Sequence, residues 1–167
     1  MNEWWRMAKR YALSKKEKKK IIGELSKQYP SIEIDKDLFM EFYEEKGFPR
    51  ILIIEGVPAF FEYKDKWAPH LKYLLKKGYE WAPYVVVDMG AVKPLLRGAD
   101  IMAPGIREVV GEFGPGDIVV VIEEKYRKPF VVGESLVESK PLADGEIKRG
   151  KVILNIHRAG DKLWDII

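Results

Sequence analysis

The pattern of apolar and polar positions changes character near the middle of the chain. In the first half, Ile21, Ile22 and Leu25 form a stripe at helical spacing behind a polar face, and Ser14 is placed to cap that helix, which predicts α-helix from Lys15 to about Gln28. After the stop at Tyr29-Pro30, the runs Glu41 to Glu44, Arg50 to Glu55 and Ala59 to Tyr63 read as strands. They are joined by Lys46-Gly47-Phe48-Pro49 and Gly56-Val57-Pro58, which predicts an antiparallel meander. Leu38 to Glu45 fits neither period cleanly and admits a short helix instead. Trp67 to Lys77 reads as helix, with Leu71, Leu74 and Leu75 inward and Gly78 ending it. Gly78 to Pro83 is the expected junction between two domains.

From Val85 onward, turn signals recur at short intervals: Gly98, Pro104-Gly105, Gly111, Gly114-Pro115-Gly116, Lys128-Pro129, Gly145 and Gly150. Short strands between such punctuation predict a small barrel or sandwich. Val85-Val86-Val87 is a β-branched strand, and Asp88 is suited to cap a helix packing Ala91, Val92, Leu95 and Leu96 inward, with Lys93 and Arg97 outside. Pro94 removes one backbone donor there, so that helix starts late or is a single tight turn. Gly98-Ala99 ends it, Ile101-Met102 is a further strand, and Pro104-Gly105 makes a turn. Ile118 to Glu123 and Phe130 to Val132 are expected as central strands paired across Glu124 to Lys128. Ser139 to Gly150 is expected as a loop, and Lys151 to His157 as the strand that closes the barrel. The expectation is an α+β protein: a unit over residues 1–80 with a basic helix and a meander, then a pseudo-barrel over residues 81–167.

Composition narrows the function classes. Hydrophobic content of 47% with 33% charged residues belongs to a globular protein. No apolar run approaches the roughly 20 residues that cross a bilayer, and Met1 to Arg6 lacks the order of a signal peptide, so a cytoplasmic location without membrane partners is expected. The absence of cysteine removes disulfides, thiol nucleophiles and thiolate zinc sites. With plentiful Lys and Glu it also fits a heat-adapted source.

The net charge is only +3, but residues 1–80 carry 17 Lys+Arg against 13 Asp+Glu, whereas residues 81–167 carry 12 against 13. Most of the excess lies between Arg6 and Lys20, where eight cations face the single Glu17. Lys15, Lys16, Lys19 and Lys20 read either as a solvated face or as an arm that contacts phosphates, which binds without reading sequence. Trp4, Trp5 and Tyr11 beside this run are candidates for stacking on unpaired bases, with packing as the alternative. Trp67, Trp81 and Trp164 read as core or interdomain residues.

Catalytic patterns are missing. His70 and His157 have no neighbouring ligand pattern, and His70, beside Leu71 in the expected helix, reads as structural. There is no phosphate loop, no nucleophile elbow and no carboxylate pair tied to a nucleophile, so no metal or cofactor is expected. Asp88 as a lone catalytic acid competes with Asp88 as a helix cap, and the strand–helix corner favours the cap. The chain reads as a binder rather than an enzyme.

The order Asp88-x-Gly90-Ala91, Arg97-Gly98-Ala99-Asp100-Ile101-Met102-Ala103-Pro104-Gly105-Ile106 and Gly116-Asp117 before Ile118 to Ile122 resembles the PUA domain, a small RNA-binding barrel. The likeness continues through Val131-Val132-Gly133-Glu134-Ser135 and Lys151-Val152-Ile153-Leu154-Asn155. The basic helix and Gly56-Val57-Pro58-Ala59-Phe60-Phe61 resemble the pre-PUA domain of the malignant T-cell-amplified-sequence proteins, archaeal type, which are related to the N-terminal part of ligatin. The resemblance implies a role in translation on the small ribosomal subunit, in initiation or recycling. It also implies RNA partners (small-subunit ribosomal RNA, with tRNA contact left open) and a protein partner carrying an initiation-factor-like domain. By position it implies an RNA face of Lys93, Arg97, Gly98, Ala99, Met102 and Arg107, with Lys148 and Arg149 nearby. Gly98 reads either as an ordinary helix C-cap or as a place where a sugar-phosphate backbone approaches. Two other functions stay open: an RNA-binding accessory subunit of an rRNA- or tRNA-modifying enzyme, and a protein-interaction scaffold.

Overall fold

The computed structural model describes residues 8–167, so Trp4, Trp5 and Arg6 lie outside the described residues. The first sheet is an antiparallel meander in the order β1 (Lys9–Ala12), β2 (Met40–Glu44), β3 (Ile51–Ile54), β4 (Val57–Tyr63) and β5 (Lys66–Pro69). Helix α1 (Lys15–Gln28) buries Ile21 and Leu25. Its start is fixed by a capping box: the Glu17 amide donates to Ser14 Oγ at 3.1 Å and the Ser14 amide donates to Glu17 Oε1 at 3.0 Å. Those bonds hold the Glu17 carboxyl below the usual carboxylate range.

In this half one open alternative is decided and two expectations are corrected. Leu38 to Glu45 is not a helix; Met40–Glu44 is a strand paired to both β1 and β3. Trp67 to Pro69 belongs to β5, because Lys64 takes a positive φ of 52° and turns the chain back so that Glu62 faces Trp67. Pro69 also disfavours helix at Ala68. Helix α2 (Leu71–Lys77) therefore begins one residue after His70, which is its cap, and it turns Tyr73 inward while Leu75 is 46% exposed. Strand β1 has no counterpart in the pattern: all four of its residues are exposed, so no apolar alternation marks it.

The second sheet has the order β7-β11-β10-β9-β6-β8, with β6 (Tyr84–Val87), β7 (Ile101–Met102), β8 (Ile106–Val110), β9 (Ile118–Glu123), β10 (Pro129–Ser135) and β11 (Lys151–Arg158). Strand β6 runs parallel to β9, and the other pairs are antiparallel. The two edge strands, β7 and β8, are joined by only the 3-10 turn Ala103–Gly105, so the sheet must curl to bring its edges together. The 3-10 turn Met89–Ala91 leads into α3 (Val92–Leu96), which holds Pro94 in its first turn and so starts late, and Leu96 is 39% exposed rather than inward. Ser139–Ala143, expected as loop, forms α4, which buries Leu142 and tolerates Pro141 in its first turn, where no backbone donor is needed. The last element is α5 (Lys162–Asp165).

Strands β6, β9 and β10 are buried on both faces, which explains the unbroken β-branched runs of β6 and β9. Val86, Val120, Ile122 and Val132 join the core of the first sheet, while Val85, Val87, Val119, Val121 and Val131 build a second core under α3 and α4. The first cluster is thus shared between the two sheets. At its edge lie two fully buried histidines with ring centroids 4.7 Å apart. The Lys72 amide donates to His70 Nδ1 at 3.1 Å, so His70 Nε2 carries the proton and donates to the Leu163 carbonyl at 3.0 Å. The Leu71 amide donates to His157 Nε2 at 3.1 Å, so His157 Nδ1 donates to Asp161 at 2.9 Å. His70 is structural, at a joint between the sheets rather than inside a helix.

Candidate nucleic-acid interface

The C-terminal end of β6 is built around Asp88. Its side chain accepts the Gly90 amide and caps the turn, its amide donates to the Gly105 carbonyl at 2.9 Å, and its second oxygen pairs with Arg107. Arg107 also approaches Glu124, at 3.8 Å, and its Nη1 donates to the Pro104 carbonyl at 3.3 Å. Asp88 therefore acts as a cap and an anchor, and Arg107 presents a guanidinium already shared between two carboxylates.

Past α3 the chain makes a narrow step. Gly98 has φ of +100°, a conformation that disfavours any Cβ, and a Cβ built there would lie 3.3 Å from the Arg158 guanidinium carbon. Arg158 Nε donates to the Leu96 carbonyl at 3.1 Å, which sets that guanidinium against the step. The Asn155 amide group donates to the carbonyls of Leu95 and Ala99, both at 2.9 Å, and so ties the two sides of the step to β11. Asp100 accepts the Asn155 backbone N–H at 2.8 Å and pairs with Lys151 at 3.0 Å; the first bond, then the second, holds its carboxyl below the usual range. Between α3 and β7 lies a slot of about 190 Å³, walled by Val87, Ala91, Pro94, Leu95, Ala99, Asp100, Ile101, Met102 and Gly105.

The residues expected on this face fall together in part. Lys93, Arg97, Gly98 and Ala99 are exposed along α3 and the step, and Met102 is 47% exposed at the slot. Lys148 and Arg149 are exposed just before Gly150, whose carbonyl accepts the Ala103 amide at 2.9 Å, so they lie beside the same edge. Lys15, Lys16, Lys19 and Lys20 are exposed on α1, and no described hydrogen bond or ion pair joins them to the Gly98 step. Lys15, Lys18, Lys19, Ile22, Lys36 and Asp37 border a groove of about 540 Å³ there. Lys18 is spent on structure, donating to the Lys36 and Leu38 carbonyls at 3.0 and 2.7 Å. Among the described residues no group of three or more His, Asp or Glu is placed to hold a metal ion, and no helix is long and apolar enough to cross a membrane.

Residues 9–77 match a family model described as a domain of unknown function (DUF1947), and residues 83–159 match the PUA domain. An uncharacterised protein of Methanocaldococcus jannaschii is 39% identical over 94% of this chain and 96% of its own length. Translation machinery-associated protein 20 of Saccharomyces cerevisiae is 32% identical over 86% of this chain and 84% of its own. The chain belongs to the malignant T-cell-amplified-sequence family of PUA-domain proteins. A crystal structure of a PUA domain from Aeropyrum pernix, in a tartrate complex, superposes on this family member with a TM-score of 0.86 at 33% identity, covering 95% of this chain and 90% of that one.

Sequence reasoning in terms of this family misses Arg158, Lys151 and Asn155 as parts of the PUA face. Asn155 carries a visible signal, since it interrupts the apolar run Val152 to Ile156. Arg158 carries none, because only the antiparallel return of β11 brings it under Gly98.

Proposed function

We propose that this protein is a non-catalytic RNA-binding factor acting in translation on the small ribosomal subunit, with the α3–β7 face of its PUA domain as the primary RNA contact. The observation that carries the reading is the Gly98 step, where backbone without a side chain is flanked by Arg97 and by the Arg158 guanidinium. A phosphate needs that combination of close approach and forked donors. The relatives named for the translation machinery support the cellular setting. Residues 1–80 supply a second, sequence-independent contact through Lys15, Lys16, Lys19 and Lys20, and linking the two contacts raises affinity beyond either alone. Contact with tRNA and a protein partner carrying an initiation-factor-like domain belong to the same proposal.

The test is cosedimentation of the purified protein with small ribosomal subunits on sucrose gradients. Lys93 and Arg97 are exposed and make no ion pair among the described residues, so Lys93→Glu with Arg97→Glu leaves the fold intact. The wild type is expected in the subunit fractions, and the double variant at the top of the gradient. Equal cosedimentation of the two would overturn the assignment of the face.

A further inference from the structure

The hairpin between β9 and β10 carries an aromatic residue that the fold does not use. Tyr126 is 65% exposed, and it stands among Lys125, Arg127 and Lys128 at the hairpin tip. The tip is rigid. Glu123, only 6% exposed, turns its carboxylate back into the loop and accepts the backbone amides of Tyr126 at 2.6 Å, of Lys125 at 3.2 Å and of Lys128 at 3.2 Å. Arg127 takes a left-handed φ of 55° and pairs with Glu108 at 3.4 Å. The Lys125 ammonium lies 5.1 Å from the centre of the Tyr126 ring. A buried carboxylate spent on three amides of a surface turn preorganises what the turn presents, and here that is a phenol ring between two exposed lysines.

The position of the tip follows from the sheet. Parallel pairing of β6 with β9 sets Val87 opposite Glu123, so Asp88 and Glu124 leave the sheet side by side. The Glu124 amide donates to the Val87 carbonyl at 3.0 Å, and its carboxylate accepts the Met89 amide at 3.4 Å. The tip therefore projects from the same end of the sheet as the corner that leads into α3.

We propose that Lys125-Tyr126-Arg127-Lys128 is a second RNA-binding element, in which Tyr126 stacks on an unpaired base while Lys125 and Lys128 contact the adjoining phosphates. The inference rests on the RNA-binding reading of the chain and adds a requirement for a single-stranded stretch next to the α3–β7 face. A flat aromatic ring flanked by cations suits a base with its charged backbone, because every base offers a π-face and stacking needs no particular sequence. Double-helical RNA keeps its bases in the stack and gives the ring nothing to cover.

The experiment is fluorescence anisotropy of the full chain with a fluorescein-labelled 12-nucleotide oligouridine and with a 12-base-pair RNA duplex, for the wild type, Tyr126→Ala, Tyr126→Phe and the Lys93→Glu/Arg97→Glu variant. Tyr126→Ala is expected to weaken oligouridine binding roughly 5- to 160-fold, the range for loss of one stacked base. It should leave the duplex within about twofold, and Tyr126→Phe should match the wild type. Oligouridine binding by Tyr126→Ala equal to wild type would overturn the finger, even where the Lys93→Glu/Arg97→Glu variant is impaired. The reverse pattern, with Tyr126→Ala impaired and the α3 variant unaffected, upholds the finger and removes the α3–β7 face. A wild type that binds neither RNA removes both.

Discussion

The paired histidines at the joint between the sheets give the protein a calculable acid sensitivity. His70 is fully buried, and burial, followed by the neighbouring His157, pushes its pKa from 6.5 down to about 4, against the opposing pull of the Leu163 carbonyl. The groups around it are His157 and Asp161 from the β11 side, Lys72 from its own helix and the Trp164 ring from α5. Both His70 nitrogens are engaged, Nδ1 as an acceptor from Lys72 N–H, so protonation breaks that bond and leaves a charge in the core. The folded pKa is depressed, so this stabilisation is complete above the unfolded pKa and is lost as pH falls. From pH 6.5 to 4 the unfolded chain binds a proton that the folded chain refuses. At about 1.4 kcal/mol for each unit of pH, folding is weakened by about 3 kcal/mol at pH 4. Carboxylates such as Asp161, held below the usual range, also lose their contribution in acid, from about pH 5 downward. Between pH 6.5 and 5 the difference in slope between the wild type and a variant without His70 therefore reports that histidine. The assay is urea unfolding followed by tryptophan fluorescence from pH 7.5 to 4, with His70→Asn as the comparison, since Asn keeps an acceptor at the helix cap but does not titrate. The variant should start less stable at pH 7 and lose less stability than the wild type down to pH 5. A wild-type curve as flat as the variant's, or parallel slopes in both, would refute the reasoning.

Three further outcomes follow from the geometry. Gly98→Ala places a Cβ at positive φ against the Arg158 guanidinium, so thermal unfolding should show a loss of about 1–2 kcal/mol together with weaker RNA binding in anisotropy. Asn155→Ala removes both amide bonds that tie Leu95 and Ala99 to β11, and a destabilisation of about 1–3 kcal/mol is expected in urea titrations. Changing Lys15, Lys16, Lys19 and Lys20 to Glu should make binding of single-stranded RNA less salt-dependent, lowering the log–log slope by about 0.7 for each phosphate that is no longer neutralised, as read from anisotropy across a salt series.

The parts of the molecule legible in the sequence are those where local chemistry and tertiary packing agree. Ser14 before a lysine-rich amphipathic stretch, Val85 to Val87 before Asp88, and the long run in β9 each follow one rule with no competitor. The pattern misleads where tertiary pairing overrides it. Trp67-Ala68-Pro69 precedes a helix and carries apolar residues at helical spacing, yet the hairpin register with β4 claims it as strand. Strand β1 exists only through its pairing with β2 and leaves no apolar trace. Leucine usually points inward, but Leu75 and Leu96 each sit on a helix too short to bury more than one side. The candidate face follows the same division. Gly98 and the cations beside it stand in one contiguous stretch, whereas Arg158, Lys151 and Asn155 reach it from β11 across the sheet. The finger at Tyr126 has the sequence of an ordinary turn, because the register of β6 against β9 and the inward carboxylate of Glu123 are tertiary facts.

The central claim is that this chain binds RNA of the small ribosomal subunit through the PUA face. Ultraviolet crosslinking of the tagged protein in cells, with sequencing of the attached RNA, tests it most directly when the wild type is run beside the Lys93→Glu/Arg97→Glu variant. The account predicts wild-type reads concentrated on small-subunit ribosomal RNA, with or without tRNA ends, and their loss in the variant. Reads concentrated on precursor RNA or tRNA bodies, or no enrichment above background, would contradict it.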